Sequence, residues 1–393
     1  MAFDVNAATA RYIDSLGPAA LQKAHDYTVG KEWMLLWSLL VAGVVAWLIV
    51  RSGVLDRIGA KIGDKRQNLR ALLVGFVYFI FAAVLALPWS VYADWWREKG
   101  YGRTSQPFGD WLMQLGIGTL IAAILGAIFF TGVYWLMRRT GKGWWLWSGG
   151  LAAVAVAFVI LLSPVLIEPL FNKYEPIPPG QVRDAVVEMA GRAGVPADKV
   201  YMYNGSRQSN NFPANAGGVG STARVAISDV AFKNASLEEV RAVTGHEIGH
   251  YVLKHTWWGI LFFSVLAIVL FWIADRTFPW FARKFGSSAV LDEPRGLPVV
   301  MFMVSLLGLL ALPLLNTFGR TLESQADLYS LQTENLPDAL STALVKTAEY
   351  RYPRPGKLEE IVFYDHPSVE ARVRRAMEWK ATHLANAAAS SGQ

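Results

Sequence analysis

Long apolar segments alternate with polar segments along this chain. Six of the apolar segments are long enough to cross a bilayer core of about 30 Å as helices, and they lie near residues 33–50, 71–92, 111–137, 147–170, 256–276 and 297–318. One such segment could be a buried helix of a water-soluble protein, but six of them do not fit a soluble core. The pattern therefore predicts a mostly α-helical, polytopic integral membrane protein with about six transmembrane helices.

Composition supports a bilayer as the surroundings of this chain. Hydrophobic residues make up 53% and charged residues only 17% of its 393 positions, and the mean hydropathy is +0.29. Tryptophan pairs lie at segment ends, where membrane proteins carry an interfacial aromatic belt: Trp95-Trp96, Trp144-Trp145 and Trp257-Trp258. The net charge of +6 is spread along the chain. It indicates anchoring at the membrane surface and no nucleic-acid binding.

The sequence contains no cysteine. This excludes disulfides, thiol catalysis and cysteine metal ligands, and the chain itself cannot be prenylated or palmitoylated. Residues 1–32 are polar and include no continuous apolar region, so we expect no cleavable signal peptide.

Two polar segments are large enough to carry chemistry. In the first, residues 182–189 have helical periodicity, while 200–203 and 224–228 have the composition of strands, with an Asn- and Gly-rich loop between them. We therefore predict the following organisation: a polar lead-in at 1–32, four transmembrane helices at 33–170, an α+β catalytic segment at 171–255, two transmembrane helices at 256–318, a helical catalytic segment at 319–384, and a disordered tail at 385–393.

The strongest chemical pattern in the chain is His246-Glu247-Ile248-Gly249-His250. Residues four positions apart share one face of an α-helix, so both histidines can bind one metal ion. Glu247 then lies where a zinc hydrolase needs a general base to take a proton from water. Ser236 and Glu239 match a capping box that starts this helix. Two ordinary packed histidines are the alternative, but the chain has only six histidines, and a chance match to this spacing is rare.

A catalytic zinc ion needs a third protein ligand and an open position for water. The extended three-histidine pattern is excluded, because Leu253 and Thr256 occupy its glycine and histidine positions. Glu323 and Asp327 follow the last apolar segment and share a helical face. Glu323 can ligate zinc while Asp327 orients a ligating histidine. The alternative is a solvated acidic face just beyond a membrane helix.

Several motifs, taken in order, resemble the type I CAAX prenyl protease family, integral-membrane zinc metalloendopeptidases with a gluzincin-like site. They are Leu170 to Pro176, Gly205-Ser206-Arg207 ahead of Asn215-Ala216, Val225 to Asp229, His246 to His250, Glu323 to Asp327, and His366-Pro367 followed by Arg372. Each short motif is weak, but their order and spacing from about residue 11 to residue 380 are specific. The resemblance implies transmembrane helices that enclose a chamber, with a small α+β gluzincin-like zinc protease domain.

The resemblance also implies a role for individual residues. The zinc ligands would be His246, His250 and Glu323, with Glu247 as the base and Asp327 as the carboxylate behind a ligand. His366 and Arg372 would serve the transition-state oxyanion or the substrate backbone, and a substrate chain would pair with a strand edge at Asn215-Ala216.

The sequence departs from the family pattern at three places. Gly217 and Gly218 follow Asn215-Ala216, where the family usually has an aromatic residue, and Ser368 replaces a second proline. Eukaryotic members have seven spans, so this chain resembles a six-span, bacterial type. These differences affect substrate preference more than zinc chemistry.

Orientation in the membrane is judged from two signals that disagree. The resemblance implies that residues 1–32, 171–255 and 319–393 are cytoplasmic, at the inner (plasma) membrane if the protein is bacterial. The short loop 51–70 carries six Lys or Arg residues and loop 93–110 only three, which favours the reverse arrangement. The Lys- and Arg-rich catalytic segments support the cytoplasmic interpretation, which is our prediction.

Three functions compete. The first is an endopeptidase related to CAAX processing, which cuts prenylated or otherwise membrane-delivered peptide or protein substrates. The second is a membrane quality-control metalloprotease of the heat-shock type, which normally has four spans. The third is a non-enzymatic membrane scaffold with a vestigial metal site, for which Glu247 would have no use. We predict the first.

Overall fold

The computed structural model describes residues 3–210, 214–217 and 224–391. Much of the predicted Asn- and Gly-rich loop, at 211–213 and 218–223, lies outside these residues. The fold is mostly helical with one small sheet, so the predicted fold class is confirmed.

The first half of the chain is helical apart from short connections such as residues 101–107. Its α-helices are α1 (Val5–Asp14), α2 (Gly17–Ser52), α3 (Val54–Ile62), α4 (Gln67–Ser90), α5 (Arg97–Gly100), α6 (Phe108–Thr140) and α7 (Trp144–Leu166), with a π-helical segment at Val91–Trp96. The predicted polar lead-in contains α1, and its residues 17–32 belong to the same helix as the first apolar segment. Pro18 starts α2, and residues 19–32 contain no further proline, so nothing interrupts the helix.

The second half contains the sheet and nine more helices within the described residues. These elements are β1 (Tyr174–Pro176), α8 (Gln181–Arg192), β2 (Val200–Tyr203), β3 (Ala214–Gly217), β4 (Arg224–Ser228), α9 (Asp229–Asn234), α10 (Leu237–Val252), α11 (His255–Phe285), α12 (Leu297–Leu310), α13 (Leu312–Glu334), α14 (Pro337–Thr347), α15 (Lys357–Phe363) and α16 (Val369–Ser391). The predicted disordered tail is wrong for residues 385–391, which end α16, because alanine is a strong helix former.

Four helical stretches are long and apolar enough to cross a membrane: Gly17–Ser52, Gln67–Gly100, Phe108–Leu166 and His255–Phe285. A fifth candidate is the broken pair Pro294–Leu310 and Leu312–Glu334, bent by 57°. The third stretch is a hairpin of α6 and α7, since a Cβ at Gly132 would lie 2.7 Å from Leu151 Cδ2. In a straight helix these residues would be roughly 28 Å apart. Each of the six predicted apolar segments therefore lies in its own helix or helix pair.

Contacts between loops show which of them share a side of the membrane. At one end, Arg295 Nη1 lies 3.0 Å from Asp56 Oδ1, and Arg138 donates to Asn68 at 2.5 Å. At the other end, Arg103 pairs with Glu349 at 2.6 Å. The loop between α5 and α6 therefore lies on the side of the catalytic segments, and the loops near residues 51–70, 138–146 and 277–296 lie on the opposite side.

The small sheet has the strand order β1-β2-β4-β3. β2 and β4 are parallel, and both correspond to the predicted strands, while β1 and β3 pair antiparallel at the two edges. The apolar faces of the sheet, α8 and α10 form one core that includes Val186, Ile227, Val240 and Ile248. This core fixes α10 beside the sheet.

Candidate metal centre

Helix α10 begins with the predicted capping box. The Ser236 hydroxyl accepts from the Glu239 N–H at 3.2 Å, and the Glu239 carboxylate accepts from the Ser236 N–H at 2.8 Å. Lys346 of α14 also donates to Glu239 at 2.6 Å. The start of the helix is therefore tied to its neighbour, which sets the position of the following turns.

Helices α10 and α13 approach each other closely at Gly249. A Cβ at Gly249 would lie 3.2 Å from the Ala326 Cα and 3.1 Å from the Tyr329 Cβ, tighter than ordinary packing. One turn beyond Ala326 on α13, the Ser330 hydroxyl donates to the Ala242 carbonyl of α10 at 2.7 Å. The small residue between the two histidines thus brings their helix against the helix that carries Glu323.

Three potential ligand atoms converge at this contact. His246 Nε2 lies 3.2 Å from His250 Nε2 and 3.2 Å from Glu323 Oε2, and His250 Nε2 lies 3.4 Å from Glu323 Oε1. Such a group of two imidazole nitrogens and a carboxylate oxygen can hold one metal ion. The structure therefore places the three predicted ligands together.

Asp327 and Arg372 lie behind His246. Asp327 Oδ1 is 2.9 Å from His246 Nδ1, and Arg372 binds both oxygens of Asp327, at 2.6 and 2.8 Å. Asp327 and Arg372 are buried. Burial lowers the pKa of the Arg372 guanidinium, but the charge of Asp327 outweighs this and raises it above its usual value. The Arg372–Asp327 pair is therefore fully charged and holds the His246 ring in place.

The donor set at this site fits a cation. Because the Asp327 carboxylate accepts from His246 Nδ1–H, the other ring nitrogen, Nε2, faces the cluster and is the one that can bind a metal ion. Glu323 Oε2 is buried beside it and makes no hydrogen bond of good geometry to any residue that the structure describes. Burial lowers the pKa of His246, yet the neighbouring carboxylates of Asp327 and Glu323 raise it to about 10. The site thus demands a positive charge at this position, which a metal ion can supply in place of a proton.

His366 lies at the edge of the same cluster. Its Nε2 is 3.3 Å from Glu323 Oε2, and its Nδ1 is 2.8 Å from Asp365 Oδ1. Burial raises the pKa of Asp365, but the contact with His366 holds it well below its usual range. The Asp365 carboxylate therefore orients the ring with Nε2 toward the cluster.

A cavity of about 200 Å³ opens directly in front of these residues. Its polar wall contains Glu247, His366 and Arg372, and its apolar wall comes mainly from α10 and α14: Val243, Leu340, Ala343 and Leu344. Charged groups and an apolar surface thus meet in one concave space, as in a site for a peptide substrate.

Asn215 and Ala216 lie in β3, at one edge of the sheet. Their backbones pair with Ala226 and Val225 of β4, and β3 lies next to α10. An edge strand beside the helix that carries His246 and His250 offers backbone groups to an extended peptide.

His255 is a polar neighbour of the cluster that the motif pattern does not single out. It lies five residues beyond His250, and it is buried within hydrogen-bonding distance of that ring. No spacing rule assigns a role to this position, because residues five apart lie on different faces of a continuous helix.

Comparison with known families covers nearly the whole chain. Residues 6–173 match the family described as the CAAX prenyl protease N-terminal region with five membrane helices. Residues 176–380 match peptidase family M48. The two matches meet where the α+β segment begins.

Individual relatives extend over similar lengths. An uncharacterised metalloprotease of Bacillus subtilis, YhfN, is 26% identical over 91% of this chain and 86% of its own. The CAAX prenyl protease 1 homologue of Arabidopsis thaliana is 26% identical over 86% of this chain and 80% of its own. The crystal structure of S. mikatae Ste24p matches with a TM-score of 0.71 at 19% identity, over 95% of each chain. This last similarity confirms the predicted fold, a membrane chamber with a small α+β domain.

Proposed function

Since this chain belongs to peptidase family M48, as an integral-membrane metalloendopeptidase of the CAAX prenyl protease type, we propose that its metal is zinc, held by His246, His250 and Glu323. The observation that supports this most directly is the convergence of His246 Nε2, His250 Nε2 and Glu323 within 3.4 Å of one another. Two neutral imidazoles and one carboxylate are a common ligand set for catalytic zinc.

The zinc ion would supply Lewis acidity for water and for the substrate carbonyl. Glu247, on the same helix as both histidines and on the wall of the cavity, then acts as the general base that takes the proton of the attacking water. Asp327, paired with Arg372, keeps the His246 proton on Nδ1. His366 in its imidazolium form, with Nδ1–H on Asp365, donates Nε2–H from the cavity wall to the developing oxyanion, and Arg372 contributes positive charge beside it.

We propose that the substrate binds as an added strand at Asn215-Ala216 in β3. Its scissile bond would then lie over the cavity, with one side chain between α10 and α14. The substrates of this protease are peptides or proteins. Prenylated or otherwise membrane-delivered ones fit a site that adjoins the transmembrane helices.

The proposed organisation is four membrane helices (33–170) and two (256–318) that support two catalytic segments (171–255 and 319–384). We propose that these segments face the cytoplasm, at the inner membrane of a bacterial cell. This orientation is the one that the family resemblance implies, whereas the Lys- and Arg-rich short loops on the opposite side, such as residues 51–70, favour the reverse.

Metal analysis of the purified protein tests the ligand set. We expect close to one zinc per chain in the wild type and a large loss in Glu323→Ala, because two histidines alone do not make a stable site. Asp365→Ala, next to His366 but outside the ligand set, serves as the control and retains its zinc. Full zinc occupancy in Glu323→Ala would show that the third ligand is another residue.

Product mass analysis tests the substrate proposal. A fluorogenic C-terminal peptide is supplied with and without a farnesyl group, and we expect faster cleavage of the farnesylated form. Equal cleavage of both peptides would reject the need for a prenyl group and leave the protease activity standing. Glu247→Gln supplies the background rate.

A further inference from the structure

The imidazole of His250 has a second polar contact, on the side away from the proposed metal. Its Nδ1 lies 2.9 Å from His255 Nδ1, with the two rings nearly perpendicular at 76°. His255 Nε2 in turn lies 3.0 Å from Gln325 Oε1 on α13. His255 is only 5% exposed, so this contact is shielded from water.

A break in the helix makes the contact geometrically possible. In a continuous helix, position 255 would point about 140° away from position 250. Helix α10 ends at Val252, and Lys254 adopts a left-handed conformation with φ of 59° before α11 begins at His255. This turn brings the His255 ring back beside the metal-bearing face. It also places His255 at the first position of a long helix, where the dipole disfavours a positively charged ring.

The contacts fix where each proton lies. An amide oxygen can only accept, so His255 Nε2 donates to Gln325. A neutral imidazole protonated at Nε2 has an acceptor at Nδ1, so the proton in the 2.9 Å contact belongs to His250 Nδ1. His250 Nε2 is left with its lone pair, facing Glu323 and His246.

From this arrangement we infer that His255, held by Gln325, is a positioning residue that fixes the tautomer and orientation of the metal ligand His250. The inference rests on the proposed metal site. It completes a symmetric arrangement, in which each ligating histidine has its Nδ1–H engaged by a residue behind it. The partner of His246 is the charged Asp327, whereas the partner of His250 is a neutral imidazole. A neutral partner holds the ring without adding a second negative charge to the site.

Zinc affinity, measured by competition with a chromophoric chelator on the metal-free, full-length protein, tests the inference. We expect His255→Leu to weaken zinc binding by about 10–100-fold, as is usual when a residue behind a metal ligand is lost. His255→Asn should recover most of the loss, because its side-chain oxygen replaces Nδ1 as acceptor for His250. His383→Leu, which removes an exposed histidine of α16, should bind zinc as the wild type does.

Gln325→Leu provides a second route if His255→Leu does not fold, since Gln325 lies on the exposed side of α13. It should weaken zinc binding in the same direction. Wild-type affinity in His255→Leu or Gln325→Leu, or an Asn variant as weak as the Leu variant, overturns the inference while the zinc site stands. A wild-type protein that binds no zinc, or Glu323→Ala with wild-type affinity, instead overturns the proposed site itself and the inference with it.

Discussion

At the scale of single residues, three ionisable groups around the ligand cluster, His246, Asp327 and His366, each contact a partner that sets their charge or orientation. Asp327 on α13 acts on His246 of α10, Arg372 on α16 neutralises Asp327, and Asp365 orients His366. Asp327 and Arg372 are buried, so water competes little with this pair. A change at one of these residues therefore acts through its neighbour as well as through its own lost contacts.

Glu247→Gln should abolish most peptidase activity and leave the metal and the fold intact. The amide has nearly the same shape as the carboxylate but cannot accept the proton of water, and losing a positioned general base typically costs about 10²–10⁴-fold in rate. Turnover and zinc content measured on the same preparation check this expectation. Turnover comparable to that of the wild type would exclude Glu247 as the base.

His366→Ala should lower kcat by about 10²–10³-fold, the usual effect of losing one oxyanion donor, with zinc content and melting temperature unchanged. The alternative role is packing in the turn before Pro367, where proline favours an extended His366. That role predicts the opposite result, namely a lower melting temperature with normal kcat. Kinetics and thermal unfolding of this variant distinguish the two.

At the scale of elements, the site depends on how closely α10 and α13 pack. Both proposed histidine ligands come from one helix and Glu323 from the other, so the distance between helix axes decides whether the three candidate ligand atoms meet. Gly249 sets that distance, because its missing side chain lets the Ala326 backbone come close. Glycine is needed here for its small size and not for an unusual backbone conformation, because Gly249 lies within the regular part of α10.

Gly249→Ala should reduce zinc affinity and destabilise the protein by about 1–3 kcal/mol, the usual range for overpacking. Gly191→Ala is the matched control, because Gly191 also lies in a helix but has no atom within 4 Å of its added Cβ. Alanine should stabilise that helix by up to about 1 kcal/mol. Thermal unfolding and chelator competition measure both variants. Equal effects at the two positions would show that close packing at Gly249 does not hold the site together.

At the scale of the whole molecule, the membrane helices and the catalytic segments are joined by specific contacts. The loop between α5 and α6 is linked to the catalytic segments through Arg103–Glu349 and through Thr104, whose hydroxyl donates to the Gln208 carbonyl at 2.8 Å. The catalytic segments, which contain the proposed metal centre, are thus held against the bundle.

Single-cysteine labelling should divide the chain into two sides, and the absence of native cysteine makes each introduced thiol unique. Lys61→Cys and Lys142→Cys lie on one side of the membrane and should give the same result with a membrane-impermeant thiol reagent. Lys99→Cys and Glu238→Cys lie on the other side. When the reagent reaches only one side of the membrane, only one of the two pairs should react. All four positions are exposed. If the catalytic side is cytoplasmic, only the first pair reacts in intact cells. If only the second pair reacts in intact cells, the proposed orientation is reversed, but the assignment of positions that share a side of the membrane still holds.

Several features of this protein follow from the sequence alone, because they depend on local composition and short spacings. Apolar length predicted where membrane helices lie. The box at Ser236 and Glu239 predicted the start of α10, and the spacing of His246 and His250 placed both rings on one helical face. The sequence pattern did not predict that residues 17–32 and 385–391 are helical. These residues are polar or alanine-rich, so they lack the long apolar run that marks a membrane helix.

Only the tertiary structure decided which distant groups meet. From the sequence, Glu323 was equally compatible with a ligand and with a solvated acidic face, and 73 positions separate it from His250. Packing of α13 against Gly249 brings it within 3.4 Å of that ring. His255 had no signal at all, since its contact depends on a left-handed turn at Lys254. Local patterns determine helices and their faces, whereas the distance between faces depends on side-chain packing across the whole chain.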